Sequence, residues 1–379
     1  MENLTTAIAS PNLSQAGDLF AHFNPPIIDS TVTRIFDEEF FPVAPLGLHS
    51  RQLTFNCPAC ASFTDLQQTQ LELDVKIVLA NGNALPPAVA EGATAYLSAG
   101  FENNPIGTLF RDLDIRVSGV SLSPMNNTYG YLHYLQTVLF FQKDARSSKL
   151  ERQGYYDQVD PTAFSVFDAT TGFGLRYDYT KESHLYQISG GIAHGLFQQP
   201  RLLPPMTPLD LNFFLADPSF AINSSVPNAN MVFQIVAARL VIKRVDALDS
   251  LQQSFETRLM REPAIFPIVH SRIKTWVIPK NLASFQIPDL FGGSFLPKMC
   301  IFGLVDQSNS QGNYAASPFG FMPHNVKDLY LQVGATRLPS LSFDLSYGDT
   351  NPRCLRAFSA LYGNDNYLKD CGTYIDRGR

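Results

Sequence analysis

Cys57 and Cys60 stand in a Cys-Pro-Ala-Cys spacing, the arrangement that would let two thiols share a metal ion or exchange a disulfide. A structural zinc centre needs a second ligand pair, and Cys300, Cys354 and Cys371 show no such spacing. Thioredoxin-like chemistry would need a βαβ context that is missing here. The pair therefore reads as buried or strand-edge thiols. The histidines are His22, His49, His133, His184, His194, His270 and His324. None forms the His-x-His pair of a cupin-type metal site or a His-Glu-x-x-His zinc helix, so they read as hydrogen-bonded structural residues. Gly190-Gly191, close to His194, lacks the helix and Lys-Ser/Thr of a phosphate loop and reads as a turn or bulge. Asp112/Asp114 and Glu72/Asp74 sit two residues apart, on one face of a strand, where paired carboxylates could do acid/base work; alternating with core residues, they read as a solvated outer face. No Ser/His/Asp grouping carries flanking signals. The expectation is a protein without catalytic, cofactor-binding or metal-binding residues.

The elements carrying these residues are strands. Leu71, Leu73, Val75, Ile77 and Leu79 alternate with Glu72, Asp74 and Lys76, and Asn81-Gly82 ends the run as a tight turn. Arg51 to Asn56, Leu113 to Val117 and Leu209 to Leu215 follow the same period. Met231 to Val245 predicts a strand long enough to span a large sandwich. Asn127 to Phe141 breaks the pattern: Tyr131, Leu132, Leu135, Val138 and Leu139 at helical spacing predict one inserted helix near 127–142. Residues 151–181 read as a long loop, with Gly172 and Gly174 as turn signals. Asp246 to Glu262 predicts a short linking helix ended by Pro263. Strands are expected again at Ile265 to Ile278, Ser284 to Leu290, Lys298 to Val305 and Leu329 to Val333.

Composition agrees with an all-β chain. The 379 residues suit two domains, and 26 Pro and 24 Gly are spread as turn residues rather than pooled. Charged residues make up 16%, and 29 Phe and 15 Tyr stand against one Trp, which favours core and subunit interfaces over sugar or base stacking. Net charge is −6 and the first basic residue is Arg34, so the N-terminal stretch cannot neutralise phosphates. No segment has the length of a membrane span, and no signal peptide is recognisable. The odd count of five cysteines disfavours a disulfide framework, and the four Asn-x-Ser/Thr sequons read as chance matches in a chain that is not secreted.

Several short stretches, in order along most of the chain, resemble one family. They are Asp18-Leu19-Phe20 with Pro25-Pro26, Phe63-Thr64-Asp65-Leu66 leading into Leu71 to Val78, and Thr128-Tyr129-Gly130-Tyr131 with Leu135-Gln136-Thr137. Gly190 to Gln198, Leu202-Leu203-Pro204-Pro205, Val241 to Val245, Pro318-Phe319-Gly320-Phe321 and Asp370-Cys371-Gly372 follow. Together they resemble the double jelly-roll major capsid-like proteins of Polinton/Maverick elements and adintovirus-type DNA viruses. The resemblance implies two eight-stranded sandwiches side by side, with three chains forming a pseudo-hexagonal capsomer of an icosahedral shell around double-stranded DNA. It implies an extended arm over 1–40, a first jelly roll over 41–246, a linker over 247–263 and a second roll over 264–379. The family pattern continues past the segment matching Gly372 to Arg379, so the second roll is expected to be incomplete. The expected partners are two further copies of the chain, neighbouring capsomers and minor capsid proteins, without specific nucleic-acid binding. The expected place is the virion, assembled in the cytoplasm or nucleus. The alternatives are a minor or vertex (penton) capsid protein, or a β-sandwich carbohydrate-binding or cupin-like protein.

Overall fold

The computed structural model describes residues 31–87, 98–123, 126–158, 171–225, 230–288, 290, 297–347 and 353–362. The arm expected over the first thirty residues and Cys371 lie outside them. The chain divides into two units, residues 1–35 with 245–264, and residues 36–244 with 265–379.

The ten strands among the described residues up to 247 include those expected there from alternation, and each has a partner. They are β1 (Val32–Phe40), β2 (Gln52–Cys57), β3 (Phe63–Leu79), β4 (Ala99–Phe101), β5 (Phe110–Val117), β6 (Val120–Ser121), β7 (Tyr186–Gly190), β8 (Leu209–Leu215), β9 (Ile222–Ser224) and β10 (Met231–Ala247). One four-stranded sheet runs β1-β10-β3-β7, a second runs β2-β8-β5-β6, and β4 pairs with β9. Leaving aside that short pair, the eight remaining strands fall in the order first-eighth-third-sixth and second-seventh-fourth-fifth. That interleaving is the eight-stranded jelly roll, in which the chain crosses between sheets at nearly every turn. β1 lies within the stretch that sequence alone had given to the arm.

Register follows from which side chains must be inside. β2 meets β8 antiparallel from Gln52↔Phe214 to Cys57↔Leu209, and β8 meets β5 from Phe110↔Leu215 to Val117↔Leu209, with an irregularity between Phe110 and Asp112. Leu53, Phe55, Leu113, Ile115, Leu211 and Phe213 thereby face Leu71, Leu73, Val75, Ile77, Ile235 and Leu240 in one core. Each such aliphatic or aromatic side chain contributes about 1.5–3 kcal/mol on burial. The Phe213 ring lies 4.8 Å from that of Phe110 and edge-on to Phe55 at 6.2 Å. Along β10 the buried positions are Met231, Phe233 and Ile235, then Ala238, Leu240 and Ile242. The period of two slips by one residue at Val236–Ala237, as a bulge does, letting a seventeen-residue strand keep its apolar side inward.

Helix α1 (Tyr129–Phe140) falls where helical spacing placed it, but with another face inward. Tyr129, Gly130, His133, Thr137 and Leu139 are buried, whereas Tyr131, Leu132, Leu135 and Val138 are only half-buried. The reason is contact with a turn: a Cβ on Gly107, in the buried turn Pro105–Thr108, would lie 2.5 Å from the His133 ring. The stretch expected to be a loop contains α2 (Gly172–Thr180), whose N-cap Thr171 accepts a 3.0 Å hydrogen bond from Gly174 N. Gly172 and Gly174 are thus part of a helix start, not of a turn. A third, four-residue turn α3 (Gly195–Gln198) follows His194.

In the smaller unit, α4 (Asp249–Leu259) carries no buried side chain and holds an Arg258–Glu262 ion pair at 3.2 Å. Leu248 N donates to Thr31 O and Thr33 Oγ1 to Asp246 O, both at 3.0 Å.

Beyond the linker the strands expected at Ile265–Ile278, Ser284–Leu290 and Lys298–Val305 are not formed among the described residues. The hairpin β11 (Leu331–Val333) with β12 (Thr336–Leu338) is the strand pair found there. A strand needs a neighbour for its N–H and C=O groups. These stretches have apolar side chains but no ladder partner among the described residues, so propensity alone does not make them strands.

Candidate assembly surface

The residues singled out for chemistry are dispersed. Cys57 is buried at the end of β2, where burial pushes its thiol up to about 12, against a weaker opposing influence from Arg244. Such a thiol is inert at neutral pH. Cys60 Sγ is half-buried and donates to Ser62 O at 3.4 Å. Cys57, Cys60, Cys300 and Cys354 are free thiols. Among the described residues no group of three or more His, Cys, Asp or Glu is placed to hold a metal ion.

Glu72 and Asp74 lie on the half-exposed outer face of β3, with Glu72 3.3 Å from Arg239. Asp112 and Asp114 correct the expectation made for them, because both are buried, at 4% and 2% exposure. The outer face of β5 is covered by the chain leading into α1. Asp112 accepts from Leu113 N and Asn127 N, while Asp114 accepts from Ser121 Oγ at 2.6 Å and Arg116 Nε at 2.7 Å. Each of the four carboxylate oxygens thus already accepts a hydrogen bond from within the protein.

His133 is buried, with Nδ1 2.8 Å from Asn104 Nδ2 and Nε2 3.3 Å from Gly191 O. An amide nitrogen can only donate, so the ring proton belongs on Nε2. Burial pushes the imidazole down to about 4. It is a neutral bridge between α1 and the end of β7.

The most demanding group of side chains is one that spacing did not reveal. Glu102 and Arg176 are fully enclosed, at 2% and 0% exposure. Arg176 Nε donates to Phe101 O at 2.8 Å and Nη2 to Gln158 Oε1 at 2.9 Å. Glu102 accepts from Asn103 N at 2.7 Å and Asn223 Nδ2 at 2.6 Å, and from the Ser317 side chain. Burial raises the Glu102 carboxyl, and the nearby Arg176 charge opposes that. Ser317 comes from a distant stretch, and its neighbours are seated with it. Phe319 stacks on Tyr134 at 4.0 Å and meets Tyr131 and Phe220 edge-on at 5.4 and 6.0 Å. Tyr314 O accepts from Ser224 N and its hydroxyl donates to Met231 O at 2.8 Å. The stretch 313–320 is thus pegged into the jelly roll. A Pro-Phe-Gly-Phe signal is visible in sequence, whereas its receptor is not.

What remains is surface, and much of it is apolar. On the roll Phe41, at 63% exposure, edges an open groove of about 450 Å³ that continues over Pro42, Pro45, Val236 and Ala237. Between 265 and 341, Ile265, Val269, Val277, Phe285, Met299 and Leu341 are all exposed. Among the described residues no helix is long and apolar enough to cross a membrane.

The strand orders define a jelly-roll protein. No protein-family model matches the chain. A curated relative, the uncharacterized protein F54H12.2 of Caenorhabditis elegans, is 20% identical over 292 residues, covering 76% of this chain and 66% of that protein. Among solved structures, one from the Sputnik virophage aligns with a TM-score of 0.45 at 13% identity, over 60% of this chain and 50% of that one. The Faustovirus major capsid protein gives 0.37 at 9% identity, over 66% and 60%. The mavirus major capsid protein gives 0.34 at 11% identity, over 59% and 48%. The chain spans about two thirds of the curated relative's length and about half of the first of these structures.

Proposed function

We propose that this chain is a structural virion protein: a double jelly-roll major capsid protein of an icosahedral double-stranded DNA virus or virus-like element of the Polinton/Maverick type. The observation that carries the reading is the pair of strand orders, β1-β10-β3-β7 and β2-β8-β5-β6, a complete jelly roll within residues 32–247. Jelly rolls host unrelated activities, so the fold is joined to two further observations. The buried Glu102, Asp112, Asp114 and His133 are held by hydrogen bonds within the protein, and apolar side chains between 265 and 341 lie open. A chain built this way offers surface for assembly.

In this proposal residues 1–40 include an arm, 41–246 complete the first roll, 247–263 link, and 264–379 belong to a second roll whose edges are covered on assembly. Three copies form the capsomer, which meets neighbouring capsomers and minor capsid proteins in the virion. No cofactor or catalytic step is assigned. A minor or vertex subunit is the second reading, favoured by the single complete roll among the described residues; it would form pentamers.

Sedimentation of the purified full chain tests both. Trimers at micromolar concentration, seen as pseudo-hexagonal particles by electron microscopy, are the expected result. Pentamers would select the second reading, and a stable monomer would overturn both.

A further inference from the structure

Residues 265–273 cross the larger unit as a strap held at several points. Arg201 Nη1 donates to Ile265 O at one end, and Asn126 Nδ2 donates to Ile273 O at 3.3 Å at the other. Phe266 and Ile268 pack against the core of the roll. At the middle the strap lies on the first residue of α3: a Cβ on Gly195 would stand 2.3 Å from Val269 O and 2.8 Å from Ile268 Cγ2. Only glycine permits that approach.

The residue before Gly195 is His194, which caps α3 by accepting from Leu196 N at 3.2 Å through Nδ1. The residue after Val269 is His270. Two histidines therefore flank the closest point of contact between strap and turn, one half-buried and one exposed, and His270 acts on His194 electrostatically. We propose that this contact is an acid-released latch, in which a proton on His194, placed beside His270, drives the strap 265–273 off the Gly195 turn. The release is local, because among the described residues the strap's anchors are two hydrogen bonds and two apolar side chains, whereas the roll beneath is held by its sheets.

The charge balance agrees with this geometry. Burial first, and His270 second, push His194 down to about 4 from the ordinary 6.5. Among the described residues no carboxylate acts on His194 from the strap, from α3 or from any other packed element, so nothing stabilises its charged form. The sign follows from linkage. A depressed histidine costs nothing while it is neutral in both states, above about pH 6.5. Below that the released strap lets His194 take up a proton that the docked strap resists, so docking weakens as pH falls.

The chain supplies its own reporter. Trp276, its one tryptophan, lies three residues past Ile273 and is 41% exposed. Acrylamide quenching of Trp276 in the full chain, followed from pH 7.5 to 4.5 beside far-ultraviolet circular dichroism, reads strap and roll separately. The expected result is a rise in quenching below about pH 6.5 while the dichroism is unchanged. His194→Asn keeps a capping acceptor but cannot titrate, and abolishes the rise; His270→Gln, at an exposed position, weakens it and moves it to lower pH. If His194→Asn does not fold at pH 7.5, His270→Gln alone carries the test. Flat quenching in the unsubstituted chain, a rise coinciding with loss of dichroism, or a rise unchanged by His270→Gln would overturn the latch.

Discussion

At the scale of single residues, burial rather than spacing decides what a side chain can do here. His133 is held as the neutral tautomer between Asn104 and Gly191 O, and burial pushes it down to about 4. Above pH 6.5 the ring is neutral whether the chain is folded or not. As pH falls from there toward 4 the unfolded chain takes up a proton that the folded one refuses, and stability drops by about 1.4 kcal/mol per unit, roughly 3 kcal/mol in all. Urea midpoints at pH 7, 6 and 5 are expected to fall less steeply in His133→Gln, by about one proton; equal slopes would refute the assignment. Arg176 is a costly side chain to disturb, because Arg176→Met leaves Glu102 enclosed without its neighbouring charge. A loss of about 3–5 kcal/mol in chemical denaturation is expected.

At the scale of elements, helix ends and close approaches set which faces turn inward. Thr171 caps α2 through Gly174 N, and Thr171→Ala is expected to cost about 1 kcal/mol, read as a lower thermal midpoint. Gly107 permits α1 to seat His133 over the turn Pro105–Thr108. In Gly107→Ala the added carbon meets that ring at 2.5 Å, so the helix must shift, and a destabilisation of about 1–3 kcal/mol is expected by calorimetry. A neutral result would mean that α1 has room the packing does not show. The two-residue period of β3 and β8 was readable because each strand has one buried and one wetter face. The inward face of α1 was not, because a helix with apolar side chains on most sides carries no stripe to read.

At the scale of the whole molecule, residues far apart in sequence close the fold. Phe319 fills a box made by Tyr131, Tyr134 and Phe220, and the Ser317 side chain beside it reaches Glu102. Phe319→Ala empties that box, at an expected cost of about 3–5 kcal/mol. Limited proteolysis should then cut the chain between 321 and 330 faster while the sheets resist. Uniform resistance would show that the peg contributes nothing to holding this stretch.

Alternation, turn residues and helical spacing in the sequence by themselves determined the all-β class, most strands of the roll and the place of α1, since each signal is local and has one physical cause. Only the tertiary structure decided the sheet orders, because strand pairing depends on which backbone groups remain to be satisfied across the fold. It also decided that Asp112 and Asp114 are covered rather than wet, and that Glu102 and Arg176 share the interior. Beyond residue 264 the apolar patterning is present but the ladder partners are not among the described residues, and a pattern without a partner does not make a sheet.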